Sequence, residues 1–330
     1  MMDPGSPVRD PSEFVGRSGV VRRICSRIGA DRPQSVAVIG GAKSGKTSLL
    51  AYLSHESMKR RLLQDAERYE FVAACSACQS SVDPEEFLHS LARLLSPVRD
   101  SERNPYERVR KRIEELHASG KRIVVFLDDF HAVTSNERYP LEFFSFLRSL
   151  ANNFNVAYVT TSFLELQKLC VAKDVEESPF FNIFTNLTLG MLTAAEAQKL
   201  AATVTGAGEG DARRFAAWCG GSPYAIKIAA KSLAAAAPAS FSDSDLEEAL
   251  LPGLAPFYTQ VVSILPPSAA RPLQAVARGK PPAHHDIHLL ASLVKQGFLE
   301  ERGETLESHS PAFAAFLRTS LSARMLQGSP

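Results

Sequence analysis

The chain has 330 residues, of which 45% are apolar and 22% charged, and a formal net charge of +1. That length and apolar content exceed what one small domain needs and point to two or three packed domains. The near-neutral balance argues against a strongly basic nucleic-acid binder without excluding a local basic face. With no apolar run near the roughly 18 residues of a membrane span, and no signal-peptide core in "MMDPGSPVRDPSEF", a cytoplasmic location without a membrane partner is expected.

In chain order, residues 1–12 are rich in Pro, Ser, Asp and Gly and read as a flexible lead-in. Val20, Val21, Ile24 and Ile28 mark one face of a helix over about 17–28. "SVAVIG" (35–40) is too short for a helix, is β-branched and ends in glycine, so it predicts a buried strand. Leu49, Leu50 and Leu53 open a helix expected to continue toward Leu63. "YEFVAAC" (69–75) predicts a second strand, followed by a helix over 83–95 with an Asp cap and Pro in its first turn. A charged helix over 104–120 closes at Gly120, and "RIVVFLDD" (122–129) is the most apolar strand. A helix near 139–152, a strand at 155–162 and a last strand near 182–189 complete an alternating strand–helix pattern. That alternation implies parallel βαβ units with helices on both faces of one sheet.

After Leu189 the pattern changes to three short helical segments without strands. "AAAAPASFSDSD" (234–245) reads as a low-complexity break and linker. From 246 on, the order is helix, helix, helix, hairpin, helix, with the hairpin turning at Arg302-Gly303, a winged-helix outline.

The chemistry concentrates at Gly40-Gly41-Ala42-Lys43-Ser44-Gly45-Lys46-Thr47, which fits GxxxxGK[ST] in full and lies between a predicted strand and a predicted helix. Glycines let the backbone wrap phosphate oxygens and offer its N–H groups, and the helix N-terminus adds positive character. Lys46 is expected on the β- and γ-phosphates and Thr47 on Mg²⁺, with Ser48 completing the nucleotide-contacting run. Asp128, at the end of the apolar strand, is the second candidate for holding Mg²⁺, and Asp129 the candidate base that polarises an attacking water. The strand at 156–162 ends in Thr160, Thr161 and Ser162, and Thr161 is the candidate for orienting that water or touching the γ-phosphate. Arg148, on the preceding helix, is a candidate for reaching a neighbour's nucleotide across an oligomer interface.

Other features read as structural. Five cysteines scattered along the chain suit a reducing compartment, and Cys75-Ser76-Ala77-Cys78 lacks a second metal-binding pair, so it reads as strand-end packing. His284, His285 and His288 read as a solvated loop, and Lys59-Arg60-Arg61 and Arg108 to Arg112 as solvated helix faces with acids interleaved.

Taken together these motifs resemble the STAND-type signal-transduction ATPases of the AAA+ and ORC-like P-loop superfamily. "FVGRSGVVRRI" (14–24) is similar to the motif that opens such domains, and the resemblance implies that Val15, Gly16 and Arg17 contact the adenine side of the nucleotide. "WCGGSPYAIKIAA" (218–230) is similar to the family's Gly-x-Pro segment, implying that Pro223 lies against the nucleotide within a helical lid. The family's winged-helix histidine, which touches ADP phosphate, has a counterpart in His309. In the immune-receptor branch the sensor strand ends in arginine, where Ser162 stands here. The implied fold is α/β: a parallel-sheet P-loop core of the ASCE/AAA+ kind over 13–190, a helical lid over 191–245 and a winged-helix domain over 246–330. The implied ligands are ATP or ADP with Mg²⁺, and the implied partners are a homo-oligomer in the ATP state and a protein carrying an effector or sensor function. The family's usual flanking domains are not in this sequence, so it is expected to be a minimal core or a piece of something longer. The implied function is a slow ATPase switch. The alternative is a DNA-associated ATPase of the origin-recognition or transposition-regulator kind, with its winged helix on duplex DNA. Seven Lys/Arg against five Asp/Glu over 255–330, and the acidic "EERGETLE", favour the switch.

Overall fold

A computed structural model describes residues 5–95, 104–236, 242–263, 265–280, 287–295, 297–303 and 305–324. Contacts divide it into two units. One comprises Pro7–Gly41 and Gly45–Leu189; the other comprises Gly190–Pro330 with Met1–Ser6 and Ala42–Ser44.

The first unit is built on five parallel strands in the order β2-β3-β4-β1-β5. They are β1 (Ser35–Ile39), β2 (Tyr69–Ala73), β3 (Arg122–Leu127), β4 (Val156–Ser162) and β5 (Phe184–Thr188). Alternation along the central strands sends side chains into two separate cores. Ile123, Val125 and Leu127 of β3 join one core with Phe87, Ile113 and Phe143. Val124 and Phe126 join the other, with Ile24, Leu49 and Leu53. The first core is covered by α5 (Pro84–Leu95), α6 (Pro105–Ala118) and α8 (Leu141–Asn153), the second by α1 (Ser18–Ile28) and α2 (Lys46–Ser54). This is a three-layer α/β sandwich, as the strand–helix alternation predicts.

Local chemistry changes some boundaries. The helix expected to run on toward Leu63 breaks at His55, whose backbone is extended and whose imidazole accepts the Ser57 N–H, starting a new helix α3 (Glu56–Leu62). Short helices α4 (Ala77–Ser80), α7 (His131–Thr134) and α9 (Lys173–Glu176) lack the length that makes periodicity visible. Within the segment expected to be a flexible lead-in, Asp10 caps a 3₁₀ turn at Pro11–Glu13 and the Val8 N–H donates to Ser48 Oγ at 3.0 Å.

The second unit contains α10 (Ala194–Thr205), α11 (Glu209–Cys219), α12 (Pro223–Ala236), α13 (Asp243–Ser263), α14 (Ala270–Ala277), α15 (Ile287–Lys295) and α16 (Pro311–Arg324). An antiparallel hairpin of β6 (Leu299–Arg302) and β7 (Thr305–Ser308) lies between the last two helices. The expected break at 234–245 is shorter than its composition suggests: α12 runs to Ala236 and α13 begins at Asp243, while 237–241 lie outside the described residues. Alanine is the best helix former, so an alanine run extends a packed helix. His284 and His285 also lie outside the described residues, and His288 is exposed on α15.

Candidate functional site

In a parallel sheet the C-terminal strand ends lie along one edge, and here β4 sits between β1 and β3. The loop after β1, the acids after β3 and the hydroxyls ending β4 are therefore brought side by side. Gly45 (φ 96°) and Lys43 (φ 60°) take left-handed backbone conformations, folding the loop back on itself before α2 begins at Lys46. The Lys46 ammonium is buried and donates to the carbonyls of Gly40 (2.9 Å) and Gly41 (3.0 Å). Burial lowers its pKa, opposed by the nearby negative charges of Asp129 and Asp128. The Gly40 N–H donates to Ser162 O at 3.1 Å, joining the loop to β4.

The two carboxylates have different partners. Asp128 is buried; its Oδ2 accepts from Thr47 Oγ1 (2.7 Å) and its Oδ1 from Thr161 Oγ1 (2.5 Å). Asp129 is more exposed, with φ 49°, a left-handed conformation that costs energy for any residue with a Cβ. Its N–H donates to the same Thr161 hydroxyl at 2.8 Å, and its Oδ2 accepts from Gln79 Nε2 at 2.6 Å. His131 Nδ1 lies 3.9 Å from Asp129 Oδ1, and its ring meets Phe163 edge-on at 4.7 Å. Burial lowers the His131 pKa, so a neutral ring faces Asp129 near neutral pH. Lys46, Thr47, Asp128, Asp129 and Thr161, named separately from the sequence, thus form one linked cluster.

Gln79 and His131 escaped the sequence reading. Gln79 follows the CxxC run, where the cysteines drew the attention, and only the fold places it beside Asp129. His131 stands two residues past Asp129, but the pair lies beyond the end of β3, where the strand period of two no longer places side chains. Cys75 and Cys78 are free thiols; burial, reinforced by Asp128, pushes Cys75 up to about 11 and Cys78 well above its ordinary value. Such thiols are poor nucleophiles, in line with packing.

The remaining candidates are placed as follows. Gly16 (φ 80°) and Arg17 (φ 65°) make two successive left-handed steps before α1, Val15 is half-buried, and Phe14 stacks on Tyr52 at 4.3 Å. Arg17 is buried. Ser48 Oγ is engaged by Val8. Arg148 is half-buried on α8; among the described residues its Nε makes no hydrogen bond, and no hydrogen bond or ion pair joins it to the linked cluster. Pro223 is the first residue of α12, after Gly221 (φ 73°), whose carbonyl accepts the Leu192 N–H, and Ser222, whose Oγ accepts the Ala225 N–H. His309 is buried against Phe313 (ring centroids 4.7 Å) and Tyr258 (6.4 Å), and burial lowers its pKa to about 4.

Among the described residues no three His, Cys, Asp or Glu side chains gather as a protein-held metal cage. The neighbouring oxygens of Thr47 and Asp128 suit instead a hard cation that takes most of its ligands from phosphate and water, as Mg²⁺ does. No helix among the described residues is long and apolar enough to cross a membrane.

The fold is similar to that of known structures. The Walker-type ATPase of Pyrococcus abyssi superposes with a TM-score of 0.64 at 14% identity, covering 95% of this chain and 99% of that one. The Aeropyrum pernix ORC2 protein, determined as ADPNP–ADP complexes, gives 0.61 at 14% identity, covering 99% and 97%. No curated protein matches the chain. The model of the Novel STAND NTPase 2 family matches residues 30–234, more than half of the chain and all of the linked cluster. The STAND resemblance of the motifs and the assembled P-loop cluster thus agree with that match, and the chain belongs to the Novel STAND NTPase 2 family, a family of nucleoside triphosphatases.

Proposed function

We propose that this NTPase is an ATP-driven switch, binding ATP or ADP with Mg²⁺ and resetting itself by slow hydrolysis. The observation that carries the reading is the hydrogen-bonded set Thr47–Asp128–Thr161–Asp129, with the buried Lys46 beside it. Lys46 exchanges its loop carbonyls for β- and γ-phosphate oxygens. Thr47 and Asp128 hold the Mg²⁺, which neutralises phosphate charge when bound. Asp129 polarises the attacking water, and Thr161 fixes its backbone. Val15, Gly16 and Arg17 take the adenine side, and the loop backbone from Gly40 to Thr47, with Ser48, the phosphates.

We read α10–α12 as a lid and α13–α16 with the β6–β7 hairpin as a winged-helix domain. Pro223 and His309 are the lid and winged-helix residues that answer to the nucleotide's state. ADP holds one arrangement and ATP another, in which copies associate, with Arg148 serving a neighbour's nucleotide, or an effector protein is engaged. The acidic hairpin supports a protein partner over DNA: Glu300 and Glu307 both meet Arg302, at 3.6 and 3.2 Å, occupying its only arginine.

Releasing and identifying the nucleotide that co-purifies, and measuring mass by light scattering with ADP and with ATP, tests this. A monomer carrying ADP that assembles only with ATP is expected, with Lys46→Ala abolishing both. Nucleotide-free protein whose turnover rises with duplex DNA would overturn the switch in favour of a DNA-associated ATPase.

A further inference from the structure

Strand β5 is one of the two outer strands of the sheet, and α1 packs on the face that Leu187 of β5 joins. At this corner a cleft of about 500 Å³ is lined by Arg22, Arg23, Arg27, Gln34 and Leu187. The α1 sequence "SGVVRRICSRI" contains three arginines and no acid. Among the described residues Arg22 and Arg23 have no ion-pair partner, while Arg27 Nη1 donates to Gln34 Oε1 at 2.6 Å. Three exposed guanidinium groups therefore line one cleft with no ion-pair partner among the described residues, an arrangement that repels itself until an anionic partner arrives.

The backbone beside them is open as well. The Leu189 N–H donates to Ile39 O, so alternation along a parallel strand turns the peptide groups of Thr185 and Leu187 toward β1 and those of Asn186 and Thr188 outward. Among the described residues no strand pairs with that outer edge. One added strand would satisfy it. Side chains on one face of a strand recur every ~6.6 Å, close to the ~6 Å rise from Arg23 to Arg27.

We propose that this corner binds an extended peptide segment of a partner protein by strand addition to β5, with acidic side chains at alternate positions facing the α1 arginines. The outward peptide groups and the apolar Leu187 favour a peptide over a nucleic-acid backbone, which uses neither.

The test uses the full chain and a fluorescein-labelled octapeptide alternating Glu with Val and Thr, read by fluorescence anisotropy, with a Lys-for-Glu peptide and a labelled DNA duplex as comparisons. Saturable binding of the acidic peptide alone is expected. It should weaken at least tenfold with R23E/R27E, at least tenfold with Asn186→Pro, and steeply as salt rises. Asn186→Pro removes an outward N–H at a sheet edge, where proline is tolerated, and leaves the β1 ladder intact. Circular dichroism and thermal unfolding check that both variants keep the fold. Equal binding of both peptides, indifference to Asn186→Pro, or binding of the duplex in place of the peptide each overturns the proposal.

Discussion

Asp128 and Asp129 are adjacent in sequence, yet one has both oxygens held by hydroxyls while the other keeps an oxygen facing a neutral imidazole. This division suits one to hold a cation and the other to attract a water proton. Asp129→Asn is expected to lower turnover at least about 100-fold while bound nucleotide survives, because the amide fills the space without acting as a base. Phosphate release measured alongside nucleotide binding checks it. Thr161→Val removes the donor to Asp128 and the acceptor for the Asp129 N–H together. A fall of about 10- to 100-fold in kcat and a loss of roughly 1–3 kcal/mol in stability are expected, largely recovered by Thr161→Ser. An unchanged kcat in Thr161→Val would remove the hydroxyl from the mechanism.

At the scale of elements, the C-terminus of α11 forms a tight seam. Gly220 caps it at φ 69°, and a Cβ there would stand 2.3 Å from Ser310 Cβ and 2.6 Å from His309 O. Gly220→Ala should cost roughly 2 kcal/mol or more, read by denaturant unfolding. His309 lies at the same seam and stays neutral in the fold down to about pH 4, whereas the unfolded chain binds its proton near 6.5. Between those values the unfolded state holds more protons, so stability is full above about pH 6.5 and falls as pH drops toward 4. About 2 kcal/mol should be lost by pH 5, and His309→Phe should flatten that part of the pH profile. Elements of this kind were legible wherever a period or an end signal ran long enough, as in β1, β3, α5 and α6. The break at His55 and the one-turn helices α4 and α7 were not, because they depend on single side-chain bonds and on packing that only the assembled sheet provides. Gln79 stayed hidden for the same reason: its relation to Asp129 spans 50 positions and has no sequence period.

For the whole molecule, the binding reading has a thermodynamic consequence. Nucleotide with Mg²⁺ at about 100 times its Kd should stabilise the unit that carries Lys46 and Asp128 by about 2.7 kcal/mol, and Lys46→Ala should remove that gain. Thermal unfolding with and without nucleotide measures it; equal gains in both proteins would place binding elsewhere. At this scale the doubly covered parallel sheet was legible from alternation alone, and the loop motif located its working edge. The outward edge of β5 was not, since a strand's place in the sheet order is not written in its residues. The pairing of β4 offers a different kind of handle. The Asp129 N–H is tied to the Thr161 hydroxyl and the Phe130 N–H to the Thr161 carbonyl, on a residue with no exposed surface. These two amide protons should trade with deuterated solvent only when the segment after β3 lifts away from Thr161 at the end of β4. Their exchange rate then serves as a clock for how often the site comes apart, running without any substrate turned over.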